Sequence, residues 1–347
     1  MPSPSYLELL GREKEIEEIK NALSDSQSKR IVGITGLGGN GKTSIAIEVA
    51  RSFREIGFQN VVWQTASTKH RSTPMTFETV LDDIAKQLGK PEFLSLQGEE
   101  LERKTRERLS HTPVLLVLDN METSGDSQNE ICARLSPILG NSKVLLTSRH
   151  HFETLEVDIF DYYLQGLREE ASLKLMEQTA EERKISNFNP NDCESLLQLA
   201  GNNITGYLPL ALKLITGQLK LKSPLEITKS LGNVRLTEDD ADTKNISIFK
   251  KFWGQIFFRS FQMLSSSEFE LMAILAALKE QEGTTQNVLR KMTKERLPEE
   301  KLKEAINNNW RYCLLEREEY GNHRYFLHIL TSQFFSRILA YAGRMNR

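Results

Sequence analysis

Positions 36–43 read Gly-Leu-Gly-Gly-Asn-Gly-Lys-Thr and match the phosphate-loop pattern G-x-x-x-x-G-K-[ST] in full. These residue types suit a nucleoside triphosphate. Glycines let backbone N–H groups approach phosphate oxygens, so Gly38, Gly39, Asn40, Gly41 and the following Ser44 are candidate phosphate contacts. Lys42 supplies a cation that reaches the β- and γ-phosphates, and Thr43 supplies a hydroxyl for Mg²⁺. A second constellation is Val-Leu-Leu-Val-Leu-Asp at 114–119, an apolar run closed by a carboxylate. Asp119 at the end of a buried strand faces the crevice where open α/β sheets bind ligands, and would hold Mg²⁺ through its waters. A third is Leu-Leu-Thr-Ser-Arg at 145–149, whose Arg149 offers a guanidinium fork for a γ-phosphate. A fourth is Gly-Tyr-Leu-Pro-Leu-Ala-Leu at 206–212. Pro209 there is an ordinary helix start, and its ring can also pack on an adenine.

The elements around these residues must place them together. Ile-Val-Gly-Ile-Thr at 31–35 is a short apolar strand signal, and after the glycines Ile45, Val49 and Phe53 recur at helical spacing. Strand, glycine loop and helix aim a helix N-terminus at an anion. Further strands are expected at 61–64, 114–118 and 143–147, with a helix between them on Phe77, Val80, Leu81, Ile84 and Leu88. Apolar strands separated by helices predict a parallel sheet covered on both faces. A helix over 14–23 precedes the first strand. Beyond about residue 160 the strand signal fades, and 164–231 reads as helical with breaks at Asn189-Pro190, 206–209 and Ser223-Pro224. The polar, acidic stretch 237–245 predicts an exposed linker. Helices follow near 252–264, 268–278, 287–292 and 299–308, the second opened by a capping box of Ser267 with Glu270. Strands at 314–319 and 324–327 flank Tyr320-Gly321-Asn322-His323, a hairpin signal. The expected organisation is an N-terminal linker and helix (1–30), a P-loop nucleotide domain (31–160), a helical subdomain (161–236) and a winged-helix domain (246–347).

Composition narrows the function classes. The chain has 347 residues and a formal net charge of −2, so no global basic field calls for nucleic acid. Three cysteines, Cys132, Cys193 and Cys313, are far apart, which suits a reducing cytoplasm and excludes a disulfide framework or a cysteine zinc site. The N-terminus has no signal-peptide pattern, and no apolar run approaches the ~20 residues that cross a bilayer.

In order and spacing these motifs resemble the NB-ARC group of the STAND P-loop ATPases, which includes plant resistance receptors, apoptosome scaffold proteins and bacterial relatives. Leu9-Leu10-Gly11-Arg12-Glu13 resembles the group's box ahead of the P-loop, which implies that Leu10 and Arg12 lie at the adenine. Residues 36–43 match Walker A, 115–119 Walker B, Thr147-Ser148-Arg149 the sensor motif, and 206–212 the Gly-Leu-Pro-Leu-Ala motif with Tyr207 inserted. Phe326-Leu327-His328 resembles the winged-helix segment whose histidine touches the β-phosphate of ADP. A lone histidine between apolar residues is ordinarily a satisfied core group, so His328 rests on the resemblance, and Ile329 stands where the group has aspartate. Asn120 stands where the group commonly has an acid. An amide orients water but takes no proton, so slow hydrolysis is expected, with Glu122 as a substitute acid.

The resemblance implies an ADP/ATP switch with Mg²⁺. The catalytic set is Lys42, Asp119, Asn120 and Arg149, with Thr43 and Asp119 on the metal. ADP, held by the P-loop, Arg12, Pro209 and His328, closes a monomer, and ATP opens it for self-association. Sensor and effector domains are expected outside this chain, which reads as a fragment. The alternative is a DNA-binding ATPase using its winged helix. Arg290, Lys291, Lys294, Arg296, Lys301 and Lys303 are interleaved with Glu295, Glu299, Glu300 and Glu304, which reads instead as a solvated face. A metabolic kinase is a third reading, and the helical extensions offer it no lid for an acceptor.

Overall fold

The computed structural model describes residues 1–347 except 26, 28, 67–73, 90–92, 94, 153–156, 232–245, 279–282, 319–323 and 346–347; of 246–250 and 342–345 it describes the backbone only. The expected linker at 237–245 and the turn at 320–323 lie outside the described residues. The chain divides into two compact units: the first is 1–2, 12–37 and 41–164, the second 3–11, 38–40 and 165–347.

In the first unit the elements run α1 (Glu13–Ser24), β1 (Ile31–Thr35), α2 (Lys42–Arg51), β2 (Asn60–Thr65), α3 (Phe77–Gln87), α4 (Gly98–His111), β3 (Val114–Asp119), α5 (Gln128–Leu135), β4 (Lys143–Ser148) and β5 (Ile159–Tyr163). The five strands form one sheet in the order β2-β3-β4-β1-β5. Every pairing is parallel. β1, β3 and β4 are buried at every residue, as strands covered on both faces must be. Alternate residues serve opposite faces. Leu116, Leu118, Val144 and Leu146 share a core with Val80, Leu81 and Ile84 of α3, Leu101 and Leu109 of α4 and Ile131 of α5. Val117 and Leu145 turn the other way, and α2 packs against β3 and β4.

The sheet has one strand more than the sequence pattern predicts. β5 is an edge strand, Ile-Phe-Asp-Tyr-Tyr, none of whose residues is fully buried. Its weak apolar signal reflects that half-covered position. In register, Thr35 of β1 pairs with Ser148 of β4 and Tyr163 of β5. The C-terminal ends of the central strands therefore form one edge, and the motif residues stand along it.

The second unit is mostly helical: α6 (Glu169–Glu182), α7 (Cys193–Leu197), α8 (Pro209–Gln218), α9 (Pro224–Leu231), α10 (Ile246–Phe261), α11 (Ser266–Ala277), α12 (Gln286–Thr293), α13 (Glu299–Arg311) and α14 (Ile329–Met345), with short antiparallel pairs β6 (Gly201–Asn202) with β7 (Gly206–Tyr207) and β8 (Glu316–Arg317) with β9 (Tyr325–Phe326). Tyr207, the residue that interrupts the Gly-Leu-Pro motif, exchanges backbone hydrogen bonds with Leu167 at 2.8 and 2.9 Å. Gly206, at φ +76°, lies so close to Gly166 that a Cβ would sit 2.5 Å from its carbonyl carbon. The insertion thus serves a tight backbone crossing just ahead of α8. Gln218 closes α8 onto α10 with buried bonds to Ile256 O (3.3 Å) and Ser260 Oγ (3.1 Å). Leu271, Leu275, Leu289, Leu302, Ile306 and Leu315 form a core shared by α11, α12, α13 and the chain entering β8.

The capping box of α11 is Ser265 with Glu268, not Ser267 with Glu270. The triple serine permits either start. Glu268 also accepts from Asn308 Nδ2 at 2.7 Å, so a tertiary contact selects the earlier one. Arg290, Arg296, Lys301 and Lys303 each sit within 4 Å of a glutamate, the mixed-charge face expected of a solvated surface.

Leu116, at the centre of β3, is 1% exposed. Leu116→Ala is expected to lower the unfolding free energy by about 3 kcal/mol, read as a lower urea midpoint at unchanged slope.

Candidate functional site

The phosphate loop leaves β1 and turns into α2 at Gly41, which holds the helix N-cap position at φ 91°. Glycine takes this left-handed conformation without the Cβ clash other residues meet. The loop thus delivers the first N–H groups of α2 to a common point. Lys42 is buried, and its Nζ donates to Gly36 O (2.8 Å) and Leu37 O (3.0 Å). Burial pulls its pKa down to about 8, opposed by the negative charge of Glu122 and reinforced by Arg149. The ammonium's hydrogen bonds go to neutral carbonyls, and the carboxylates that act on it do not offset its burial.

Asp119 ends β3 within the same unit. Its Oδ1 accepts from Thr43 Oγ1 at 2.8 Å and from Thr147 Oγ1 at 2.6 Å. Burial pushes the carboxyl up to about 6; the two hydroxyls lower it, Glu122 raises it, and Lys42 lowers it. Thr147 also accepts from Asn120 N at 2.9 Å, tying the turn after β3 to the end of β4. Asn120 itself is left-handed, φ 60° and ψ 42°. Asn tolerates that region better than most residues, which gives position 120 a conformational reason for an amide. Its Nδ2 donates to Asp119 Oδ2 at 3.3 Å.

The turn it makes points Glu122 at Arg149. Glu122 Oε1 lies 2.7 Å from Arg149 Nε, and Oε2 accepts from Arg149 N at 3.2 Å. The pair is largely sheltered, with side-chain exposures of 6% for Glu122 and 22% for Arg149. Ser148 Oγ donates to Gln128 Oε1 at 2.6 Å, anchoring the end of β4 to α5.

The first unit thus brings together Gly41, Lys42, Thr43, Ser44, Asp119, Asn120 and Arg149. Arg12, also in this unit, starts α1 and is buried; its Nη1 lies 2.9 Å from Glu15 Oε1. Burial lowers its pKa, opposed by that bond. The other candidates belong to the second unit. Leu10 precedes Gly11, whose Cβ would lie 2.4 Å from Ala171 Cβ. Gly38, Gly39 and Asn40, the tip of the phosphate loop, are also there. Leu210 N, in the first turn of α8, donates to Gly39 O at 3.2 Å. A Cβ on Gly39 would lie 2.9 Å from the Trp253 ring and 3.1 Å from Leu210 Cβ. Pro209 occupies the first position of α8. His328 precedes α14, and Leu330 N donates to its Nδ1 at 3.2 Å. An accepting Nδ1 puts the proton of the neutral ring on Nε2, which makes that nitrogen a donor.

The family model for the NB-ARC domain matches residues 12–186. The chain belongs to the NB-ARC family. Among curated proteins, this NB-ARC chain is 26% identical over 222 residues to a probable disease resistance protein of Arabidopsis thaliana, covering 62% of this chain and 24% of that protein. It is 30% identical over 255 residues to disease resistance protein RUN1 of Vitis rotundifolia, covering 70% of this chain and 18% of that protein. The chain thus spans about a quarter or less of the length of these relatives. Among solved structures it resembles a Signal Transduction ATPase with Numerous Domains (STAND) protein with a tetratricopeptide repeat sensor from Pyrococcus horikoshii. The TM-score is 0.59 at 19% identity, over 97% of this chain and 43% of that one, a likeness of fold. Among the described residues no helix is long and apolar enough to cross a membrane, and no cluster of three or more His, Cys, Asp or Glu forms a metal site.

The family implies nucleotide binding, and the residues fit it. The buried Lys42 ammonium suits phosphate, and the Thr43 hydroxyl beside the Asp119 carboxylate is a hard oxygen pair of the kind Mg²⁺ takes. Two features of the site escape sequence reading: the Thr147 bond to Asp119 and the Glu122–Arg149 pair. Both depend on β3 and β4 being neighbours, which no local pattern states.

Because folding raises the Asp119 pKa from 3.8 to about 6, its ionisation is a burden on the native state. The group's stability contribution is present below pH 4 and lost as pH rises through 6. Asp119→Asn is therefore expected to stabilise the ligand-free protein by roughly 3 kcal/mol at pH 7, with the difference closing below pH 4 in paired denaturation curves.

Proposed function

We infer that this chain is the ADP/ATP-binding switch of a STAND signalling protein. ADP holds a closed monomer, ATP opens it for self-association, and hydrolysis is slow. The observation that carries the reading is the set of groups gathered in the first unit: the buried Lys42 ammonium on Gly36 O and Leu37 O, the Thr43 hydroxyl on Asp119, and Arg149 on Glu122. Two ligands with different phosphate contacts there bias the molecule differently.

In this reading Gly38, Gly39, Asn40, Gly41 and Ser44 line the phosphates, and Lys42 balances their charge. Thr43 and Asp119 hold Mg²⁺, which supplies charge neutralisation when bound. Leu10, Arg12 and Pro209 serve the adenine. His328 donates from Nε2 to the β-phosphate of ADP, and α11–α13 with the β8–β9 ribbon are the winged-helix unit it belongs to. Slow turnover has two causes. Asn120 accepts no proton, and the substitute acid Glu122 is engaged by Arg149. The switch would work beside sensor and effector domains in the cytoplasm.

Three measurements test this. Protein denatured straight after purification should release ADP, identified by mass spectrometry, and Lys42→Ala should carry none; a wild-type chain that binds no adenine nucleotide overturns the reading. His328→Ala should raise the ADP dissociation rate about tenfold if its hydrogen bond is worth ~1.4 kcal/mol, and an unchanged rate removes His328 from the site. Phosphate raises the pKa of Lys42 above its free value of about 8. Affinity for ADP should therefore be flat below pH 8 and fall as pH rises through it, by up to about tenfold per unit, while Lys42→Arg flattens the profile.

A further inference from the structure

Arg149 is the fork expected to meet a third phosphate, and in this structure it is occupied twice by one carboxylate. Glu122 Oε1 takes the guanidinium Nε at 2.7 Å, and Glu122 Oε2 takes the backbone N–H at 3.2 Å. A bond to the backbone cannot follow the side chain when it swings. Glu122 is therefore fixed to the start of the Arg149 residue while its other oxygen holds the head, and the geometry acts as a latch. Glu122 is itself held in place: it sits in the turn opened by left-handed Asn120, whose N–H is bonded to Thr147 on the neighbouring strand. Both members lie close enough to the phosphate-binding lysine to act on its charge. In a sheltered site, charge-assisted bonds of this kind are stronger than neutral ones and must be broken or shared before the guanidinium can serve a phosphate.

We propose that Glu122 sets the preference of this site between nucleoside diphosphate and triphosphate, by holding Arg149 away from the position of the third phosphate. A diphosphate leaves the pair intact. A triphosphate must draw Arg149 off Glu122 and also sit near a carboxylate that has lost its partner. Both costs fall on the triphosphate alone, so the latch biases the protein toward the diphosphate state without touching the diphosphate. Removing the carboxylate charge removes both costs. This rests on the switch reading above, because it assumes that the site takes both nucleotides.

The test is equilibrium titration of the full chain with Mg²⁺-ADP and with a Mg²⁺-bound, non-hydrolysable ATP analogue. Glu122→Gln should tighten the analogue about tenfold relative to ADP, the shift that ~1.4 kcal/mol of released pairing gives. Arg149→Ala should weaken the analogue, and in the double variant the gain from Glu122→Gln should vanish, since the effect runs through the arginine. Melting temperatures taken alongside separate a general loss of packing from this pattern. If Glu122→Gln does not fold, Glu122→Ala replaces it in the same cycle. An unchanged ratio of the two affinities, or a gain that survives without Arg149, overturns the latch alone. A wild-type chain that binds neither nucleotide overturns the switch reading and the latch with it.

Discussion

Asp119 is a carboxylate with almost no water around it, and the site is arranged around keeping it there. A buried charge is tolerable only when its lone pairs are taken. Here hydroxyls from two different elements share one oxygen, Thr43 from α2 and Thr147 from β4. That pair of bonds fixes the phosphate loop to the sheet and fixes β4 beside β3 at their C-terminal ends. The bonds do not fully offset burial, since the carboxyl remains raised to about 6. The residual imbalance is what a divalent cation would relieve. Lys42, at the start of α2 in the same unit, carries the opposite imbalance, a cation drawn down to about 8. Each group is poorly served by the protein alone and well served by a metal-bound phosphate chain.

This arrangement explains why small residues and hydroxyls crowd the loop. A larger side chain at Gly39 would run into Trp253 and Leu210, and a side chain without an oxygen at 43 or 147 would leave Asp119 short of a partner. The same constraint reaches position 120. The chain must turn sharply after β3 for Glu122 to come back to Arg149, and an asparagine in the left-handed region makes that turn. Measured against the family, Asn120 looks like a lost acid. Measured against the local backbone, it is a residue suited to its φ and ψ.

How much of this was legible in the sequence depends on the range of the interaction. The phosphate loop is readable because all its chemistry lies within eight consecutive residues, and the buried strands are readable because each is apolar over its whole length. Glu122 was nameable as an acid near the site, and Arg149 as a fork for phosphate. That they hold each other was not, because the contact spans 27 positions and needs the order of strands. β5 is not legible for a related reason: an edge strand buries too little to carry a continuous apolar run. The start of α11 is ambiguous by two residues in the sequence because three serines precede two glutamates, and the tertiary bond from Asn308 decides between them.

Gly39, at the tip of the phosphate loop, is tied to the start of α8. Leu210 N, one of the N–H groups at the start of α8 that has no acceptor within its own helix, finds it in Gly39 O. The helix that opens at Pro209 is therefore completed by the loop, as the loop is shaped by the helix. The Gly39 carbonyl is thereby paired by the protein itself. Loop geometry and helix start are then a single constraint, and a change at either, such as a side chain at Gly39 or an altered start to α8, is felt at the other.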